Sequence, residues 1–242
     1  MINQMTTMRL PDGSEVAFVD WQDKPLWSTI DLLTGFTDAE IDAFTYVAGD
    51  RVPSSNNATI RRTSTLRDTN VSTPGSMAST EELLVYAIKP YFLEYATNEG
   101  EPGDLSSFAI AETGQPTPST SRLAVLNGLI TLRLIVSQKV EQEAPLGYFN
   151  TGFGLLAGAR NAVGVAGSVP RGSAGMPSQE AVRSYAIPVH IGGQEKYRVG
   201  LFNDSGATVD FGVDETDPLT PLSNVVMQVM IHLDGLYKRP VT

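Results

Sequence analysis

Cysteine is absent from the 242 residues, which removes disulfide frameworks, thiolate metal sites, iron–sulfur ligation and cysteine nucleophiles together. The redox compartment stays open, because a chain without thiols tolerates either poise. Histidine and tryptophan each occur only twice, so an imidazole base or ligand must be His190 or His232. Cations are also scarce: 17 Lys and Arg stand against 27 Asp and Glu, a net charge of −10. That balance opposes gripping a phosphate backbone, which needs clustered cations, and no direct sequence-specific nucleic-acid binding is expected. Long apolar runs are missing too. The densest stretches, 123–136 and 225–233, are broken by Asn127, Gly128 and Arg133 and by Gln228 and His232, short of the roughly 18–20 residues of a spanning helix. Met1–Leu10 lacks the basic region and apolar run of a secretory signal, so export is not expected.

What is present is ample for a core. Hydrophobic residues make up 41% of the chain, too many for a disordered tail, and the length suits one or two domains. Pro11-Asp12-Gly13 signals a turn before a short strand in which Val16 and Phe18 share a face. Thr37-Asp38-Ala39-Glu40 is a capping box ahead of Ile41 and Phe44, and it predicts a short helix. Residues 50–80 are polar and turn-rich and read as an extended arm or surface loop. The run 82–95 combines a second capping box with strand formers; Pro90 forbids a long helix, so a buried strand through Ile88, continuing past the proline at an edge, is expected. Residues 121–127 predict two helical turns ended by Gly128.

Period-two patterning is clearer in the second half. Ile130, Leu132, Leu134 and Val136 alternate with Thr131 and Arg133, which marks a half-buried strand. Seven glycines within 152–178 suggest an irregular loop. Tyr185, Ile187, Val189 and Ile191, then Gly192-Gly193, then Tyr197, Val199 and Leu201 read as a hairpin, with Pro188 placing its first strand at an edge or a bulge. Val225, Met227, Val229, Ile231 and Leu233 form one apolar face of a terminal strand, after which Asp234-Gly235 is expected to turn the chain. Roughly nine to eleven strands and two or three short helices follow. The expected fold is mainly β: an antiparallel jelly-roll β-sandwich over 81–242 with a few short helices and long loops, preceded by an N-terminal extension over 1–80.

Chemistry is harder to find. Asn203-Asp204-Ser205-Gly206 has the look of a serine-nucleophile segment, yet His190 and His232 sit in strands with no triad motif around them. Gly152-Phe153-Gly154 fits a loose dinucleotide fingerprint without the strand–turn–helix context it requires. Asp210, Asp214, Glu215 and Asp217 offer hard oxygens at no EF-hand spacing and read as a solvated acidic loop, with a weak cation site as the alternative. Glu40, Glu81, Glu82, Glu141 and Glu143 supply carboxylates for a glycosidase, but sequence places no pair at working distance. Trp21 and Trp27 read as core or interface anchors. No catalytic residue, cofactor or metal is therefore assigned. Arg61, Arg62 and Arg67, with Asp210, Asp214 and Asp217, are expected to make contacts between subunits.

Ser79–Pro90, preceded by Arg67-Asp68-Thr69-Asn70, and the closing Met227–Val241 are similar to segments of jelly-roll structural proteins of tailless icosahedral bacteriophages. The resemblance covers about a third of the chain. It implies a capsid subunit that self-assembles into an icosahedral shell, with copies of itself and other virion proteins as partners, located in the virion after assembly in the host cytoplasm. Contact with an internal membrane is left open. The competing readings are a carbohydrate-binding or carbohydrate-active sandwich, and a vertex, spike or tail protein.

Overall fold

Strand formers dominate this chain because alternating apolar positions leave one face of each ribbon to be covered by another sheet. The computed structural model describes residues 7–9, 13, 15–17, 21–55, 62–96, 120–149, 151–159, 170–182, 184–211 and 225–238. In chain order these form β1 (Thr7–Arg9), β2 (Glu15–Ala17), β3 (Trp21–Asp23), β4 (Leu26–Leu33), β5 (Glu40–Ala43), β6 (Glu82–Ala96), the helix α1 (Thr120–Leu129), β7 (Ile130–Val136) and β8 (Lys139–Pro145). A 3-10 turn, Leu146–Tyr148, precedes β9 (Thr151–Ala159), β10 (Pro170–Val182), β11 (Val189–Ile191), β12 (Tyr197–Asn203) and β13 (Val225–Lys238).

Eight of the strands pair as a nested hairpin. β7 joins β8, β6 joins β11, β5 joins β12 and β4 joins β13, all antiparallel. The long hairpin is then rolled up, because β13 also pairs β6 and β12 also pairs β7. Two sheets result: β11-β6-β13 with β4 and β3 end to end along the far side of β13, and β5-β12-β7-β8. This is a single jelly roll. Pro25 separates β3 from β4, consistent with its missing N–H. Successive strands run in opposite directions, so the connections alternate between the two ends. The connection holding α1 and the one holding the β9–β10 hairpin therefore share an end, where α1 touches β10 and the 3-10 turn.

The space between the sheets is filled. Leu26, Ile30 and Leu32 of β4, Leu132 and Leu134 of β7, Val199 and Leu201 of β12, and Met227, Val229, Ile231 and Leu233 of β13 pack in one cluster with Phe36, Phe44 and Phe211. Along β6 the inward face changes parity: Leu83 and Val85 point into this cluster, and then Ile88 does. The switch is a β-bulge. Asp234 lies opposite Ala87 while Gly235 lies opposite Val85, which leaves Tyr86 as the extra residue. Leu84, on the opposite face, packs with Trp21, Tyr86 and Leu236.

Several expectations need correction. The capping box at Thr37 starts no helix; Glu40–Ala43 is β5, whose side chains Glu40 and Asp42 both bind Arg198 across the sheet. The Gly192-Gly193 turn makes no hairpin, because β11 belongs to one sheet and β12 to the other. It is a crossing between layers, held by bonds from Met77 N to Glu195 O and from Gln194 N to Met77 O. Asp234-Gly235 does not end the last strand but runs on within it, opposite the β-bulge at Tyr86 of β6. Thr151–Ala159 and Pro170–Val182 pair as strands where a glycine-rich loop is expected. Residues 21–43 supply three strands to the same two sheets as 81–242, so strand pairing runs across the division expected at residue 80. Residues 62–80 pack on the body rather than extending away as an arm, 62–70 along β4 and 75–77 against Phe44 and residues 194–197, with Ser64, Asp68, Thr69, Val71 and Met77 buried.

Candidate functional site

On β4, Leu26, Ser28, Ile30 and Leu32 alternate inward, so Trp27, Thr29 and Asp31 face out. The outward row is nonetheless covered by the connection between β5 and β6. Asp31 N donates to Pro53 O at 3.0 Å, Ser55 N donates to Asp31 O at 3.0 Å, and Trp27 N donates to Asn70 Oδ1 at 2.8 Å. A carboxylate caught beneath that cover, 1% exposed, requires partners. Arg62 supplies them: Nε lies 2.6 Å from Asp31 Oδ2, Nη2 3.2 Å from Oδ1, and Nη1 2.7 Å from Asp68 Oδ1. Gln228 Nε2 donates to Asp31 Oδ1 at 3.4 Å from β13. Burial pushes the Asp31 carboxyl above its usual range, while Arg62 and Gln228 pull it the other way. Beside this clasp, the Tyr46 hydroxyl donates to Thr29 O at 2.9 Å, and burial raises its pKa to about 12.

The clasp fixes a rigid turn. Asp68 Oδ2 accepts from Thr65 N at 2.8 Å and from Thr65 Oγ1 at 3.0 Å, while Asp68 N donates to Thr65 O at 2.9 Å and Arg67 N donates to Thr65 Oγ1 at 3.2 Å. Leu66 at its tip is 75% exposed. Next to it, the exposed Arg67 guanidinium enters no ion pair among the described residues.

The six residues expected at subunit contacts thus separate. Arg62 has its partners inside its own chain, because the buried Asp31 carboxylate needs a cation; reversing its charge would strike the fold itself. Arg67 is exposed. Asp210 accepts from Thr34 Oγ1 at 2.7 Å, between the end of β4 and the residues after β12. Arg61, Asp214 and Asp217 lie outside the described residues. Sequence reasoning passed over Asp31, Asp68 and Gln228. A lone acid inside Leu-Trp-Ser-Thr-Ile-Asp-Leu-Leu, a run of strand formers, was the available signal.

The two histidines have separate surroundings. His190 Nε2 lies 3.1 Å from Glu82 Oε2, and Glu82 also binds Lys238. His232 stacks with Trp27 at 6.1 Å between centroids and meets Tyr91 edge-on at 4.7 Å. Burial lowers its pKa; Lys89 adds to that and Asp234 opposes it. In this row one face of Trp27 is stacked on His232. Ser205 Oγ donates to Asn203 Oδ1 at 2.6 Å within its own turn, and Asp204 pairs with Arg133. Gly152 and Gly154 fall inside β9, not at a strand–helix turn. A crevice of about 90 Å³ opens among Lys24, Asn70, Glu81, Tyr197 and Tyr237. Lys24 stands 4.6 Å over the Tyr237 ring, and burial together with a bond to Glu81 raises the phenol pKa. Among the described residues no three His, Asp or Glu side chains converge as metal ligands, and no helix is long and apolar enough to cross a membrane.

Comparison with protein families, with curated proteins and with solved structures finds no match to this chain.

Proposed function

We propose that this chain is a virion structural protein, a capsid subunit that assembles with copies of itself. Jelly rolls recur in viral capsid subunits, lectins and cupins, so the fold alone does not choose among them. What favours assembly is where the apolar surface lies. The interior between the sheets is packed with Leu, Ile, Val, Met and Phe, while Leu66 and Ile187, the two most exposed large apolar side chains among the described residues, stand on the outside. A packed interior leaves the space between the sheets to side chains, so contacts with other molecules fall to the outer faces and loops. The segments that resemble phage coat proteins support the same reading, since Glu82–Pro90 and Met227–Lys238 lie side by side as β6 and β13 at the middle of one sheet.

Size-exclusion chromatography and electron microscopy of the purified protein test this reading. Regular particles or ring-shaped oligomers are the expected result. A protein that stays monomeric at high concentration and is retained on a polysaccharide column would overturn it in favour of a carbohydrate-binding sandwich. Copy number in purified particles separates a shell subunit, present in many copies, from a vertex, spike or tail protein.

A further inference from the structure

We propose that the crevice where β12 begins and β13 ends is a sugar-binding site, which seats adjacent hydroxyls of one pyranose ring between the Lys24 ammonium and the Glu81 carboxylate. This goes beyond the assembly reading and does not rest on it. Each sheet supplies one wall: Tyr237 near the end of β13, with Lys24 just after β3, comes from the larger sheet, and Tyr197 opens β12 of the smaller one. The stretch ahead of β6 completes the lining with Thr73, Ser76 and Glu81, and Leu26 and Met77 add buried carbon surface. Backbone bonds hold the walls: Lys24 N donates to Gly235 O at 3.3 Å, Tyr197 N to Gly75 O at 3.0 Å, and Met77 N to Glu195 O at 3.1 Å. A site fixed in this way loses little freedom on binding.

The chain leaves polar groups around this crevice unused. Tyr197 is 3% exposed, yet its hydroxyl has no hydrogen-bond partner among the described residues; the neighbouring Glu81 carboxylate bonds to Tyr237 instead. A buried phenol that lines an opening without a partner is left for a ligand to satisfy. Lys24 stands exposed over the Tyr237 ring and enters no ion pair among the described residues. The charges of Lys24 and Glu81 cancel, so the crevice gives a simple anion or cation no net attraction. It presents a pure donor in Lys24, a pure acceptor in Glu81, and hydroxyls that do both in Thr73, Ser76 and Tyr197. A sugar carries the matching set: adjacent hydroxyls that each donate and accept, and ring carbons that suit Leu26 and Met77. A crevice of about 90 Å³ takes one edge of the ring and leaves the rest in solvent, so a millimolar dissociation constant is expected.

Saturation-transfer difference NMR on the full chain tests the site with methyl α-glucoside, methyl α-mannoside and methyl β-galactoside, each titrated to tens of millimolar; glycine and acetate are the zwitterionic and anionic comparisons. The expected result is saturation transfer to at least one glycoside. Lys24→Met should weaken that binding about tenfold, and Tyr197→Phe, which removes one hydroxyl and keeps the ring, severalfold. Lys24 is exposed, so its replacement leaves the fold standing even where Tyr197→Phe disturbs it, and urea unfolding of each variant checks this. No transfer to any of the three glycosides overturns the proposal. Transfer that is undiminished in both variants overturns it as well, because the sugar then binds elsewhere. Glycine or acetate binding more tightly than every glycoside, with the same loss in the variants, makes the crevice an ion site and overturns the sugar.

Discussion

Arg62 and Asp31, thirty-one residues apart in the chain, are joined by two nitrogen–oxygen contacts of 2.6 Å and 3.2 Å on the outer face of β4. The pair ties the segment 62–70 to the sheet. Removing the cation leaves a carboxylate in a site that water does not reach, so Arg62→Ala is expected to cost about 3–5 kcal/mol in urea unfolding. The joint replacement Asp31→Leu with Arg62→Met removes the more deeply buried charge along with its partner, leaving Asp68 on its bonds from Thr65, and should recover part of that loss. A double variant no more stable than Arg62→Ala would show that the site needs ionic groups specifically.

Gly235 approaches the neighbouring strand so closely that a Cβ added there would stand 1.8 Å from the Leu84 carbonyl oxygen, well inside contact distance. Backbone must move to admit it. Gly235→Ala is therefore expected to destabilise by about 3 kcal/mol, at the upper end for overpacking, and to lower the urea midpoint without changing the slope. Gly128→Ala, at a position with no atom within 4 Å of the new methyl, serves as the control and should be nearly neutral or mildly stabilising.

His232 carries a depressed pKa because it is buried between Trp27 and Tyr91. The unfolded chain then binds a proton more readily than the folded one. The stabilisation from this group is complete above about 6.5, the ordinary imidazole value, and is lost as pH falls towards the folded pKa. Stability measured at pH 7.5 and at pH 5.5 should differ less in His232→Phe, which keeps an aromatic ring in the row and has no proton to gain. An unchanged difference would assign the effect to other groups.

Glu82 behaves in the acid range as His232 does near neutrality. Burial raises its pKa, but hydrogen bonds and charge from Lys238 and His190 outweigh burial, and the net pKa is lowered. Its contribution is present above about 4.5, the usual glutamate value, and disappears as pH falls through the lower folded pKa. Glu82→Gln should flatten the acid limb of a stability–pH curve below pH 4.5 and leave the neutral region less affected. A wild-type acid limb in the variant would reject the assignment.

Strands whose partners cover a single face were legible in the residues. Ile130–Val136 alternates because β7 is buried on one side only, and Met227 to Leu233 shows the same rhythm in β13. β6 was harder to read for a physical reason: the bulge at Tyr86 switches which parity faces inward, so Leu83 through Ile88 reads as an unbroken apolar run. β5 was hidden by a local helix-start signal that cross-strand binding to Arg198 overrides. The turn at Gly192 was visible, but turn chemistry does not state whether the chain doubles back or crosses to another layer. Of the contact residues, Arg67 was recognisable as an exposed cation. The role of Arg62 depended on Asp31 and Asp68, and neither shares a motif with it.

The nesting of the strands sets an order of events during synthesis. β13 lies between β6 on one side and β3 with β4 on the other, so the strand at the middle of the larger sheet is made after all of its neighbours. Until residues 225–238 have left the ribosome, β4 and β6 have an open lane between them, and their inward side chains Ile30, Leu32 and Val85 lack the layer that lies between them in the finished fold. Pairing at such sequence separation is slow. A nascent chain of this protein therefore carries an unfilled slot until β13 has been made, and that segment completes the sheet.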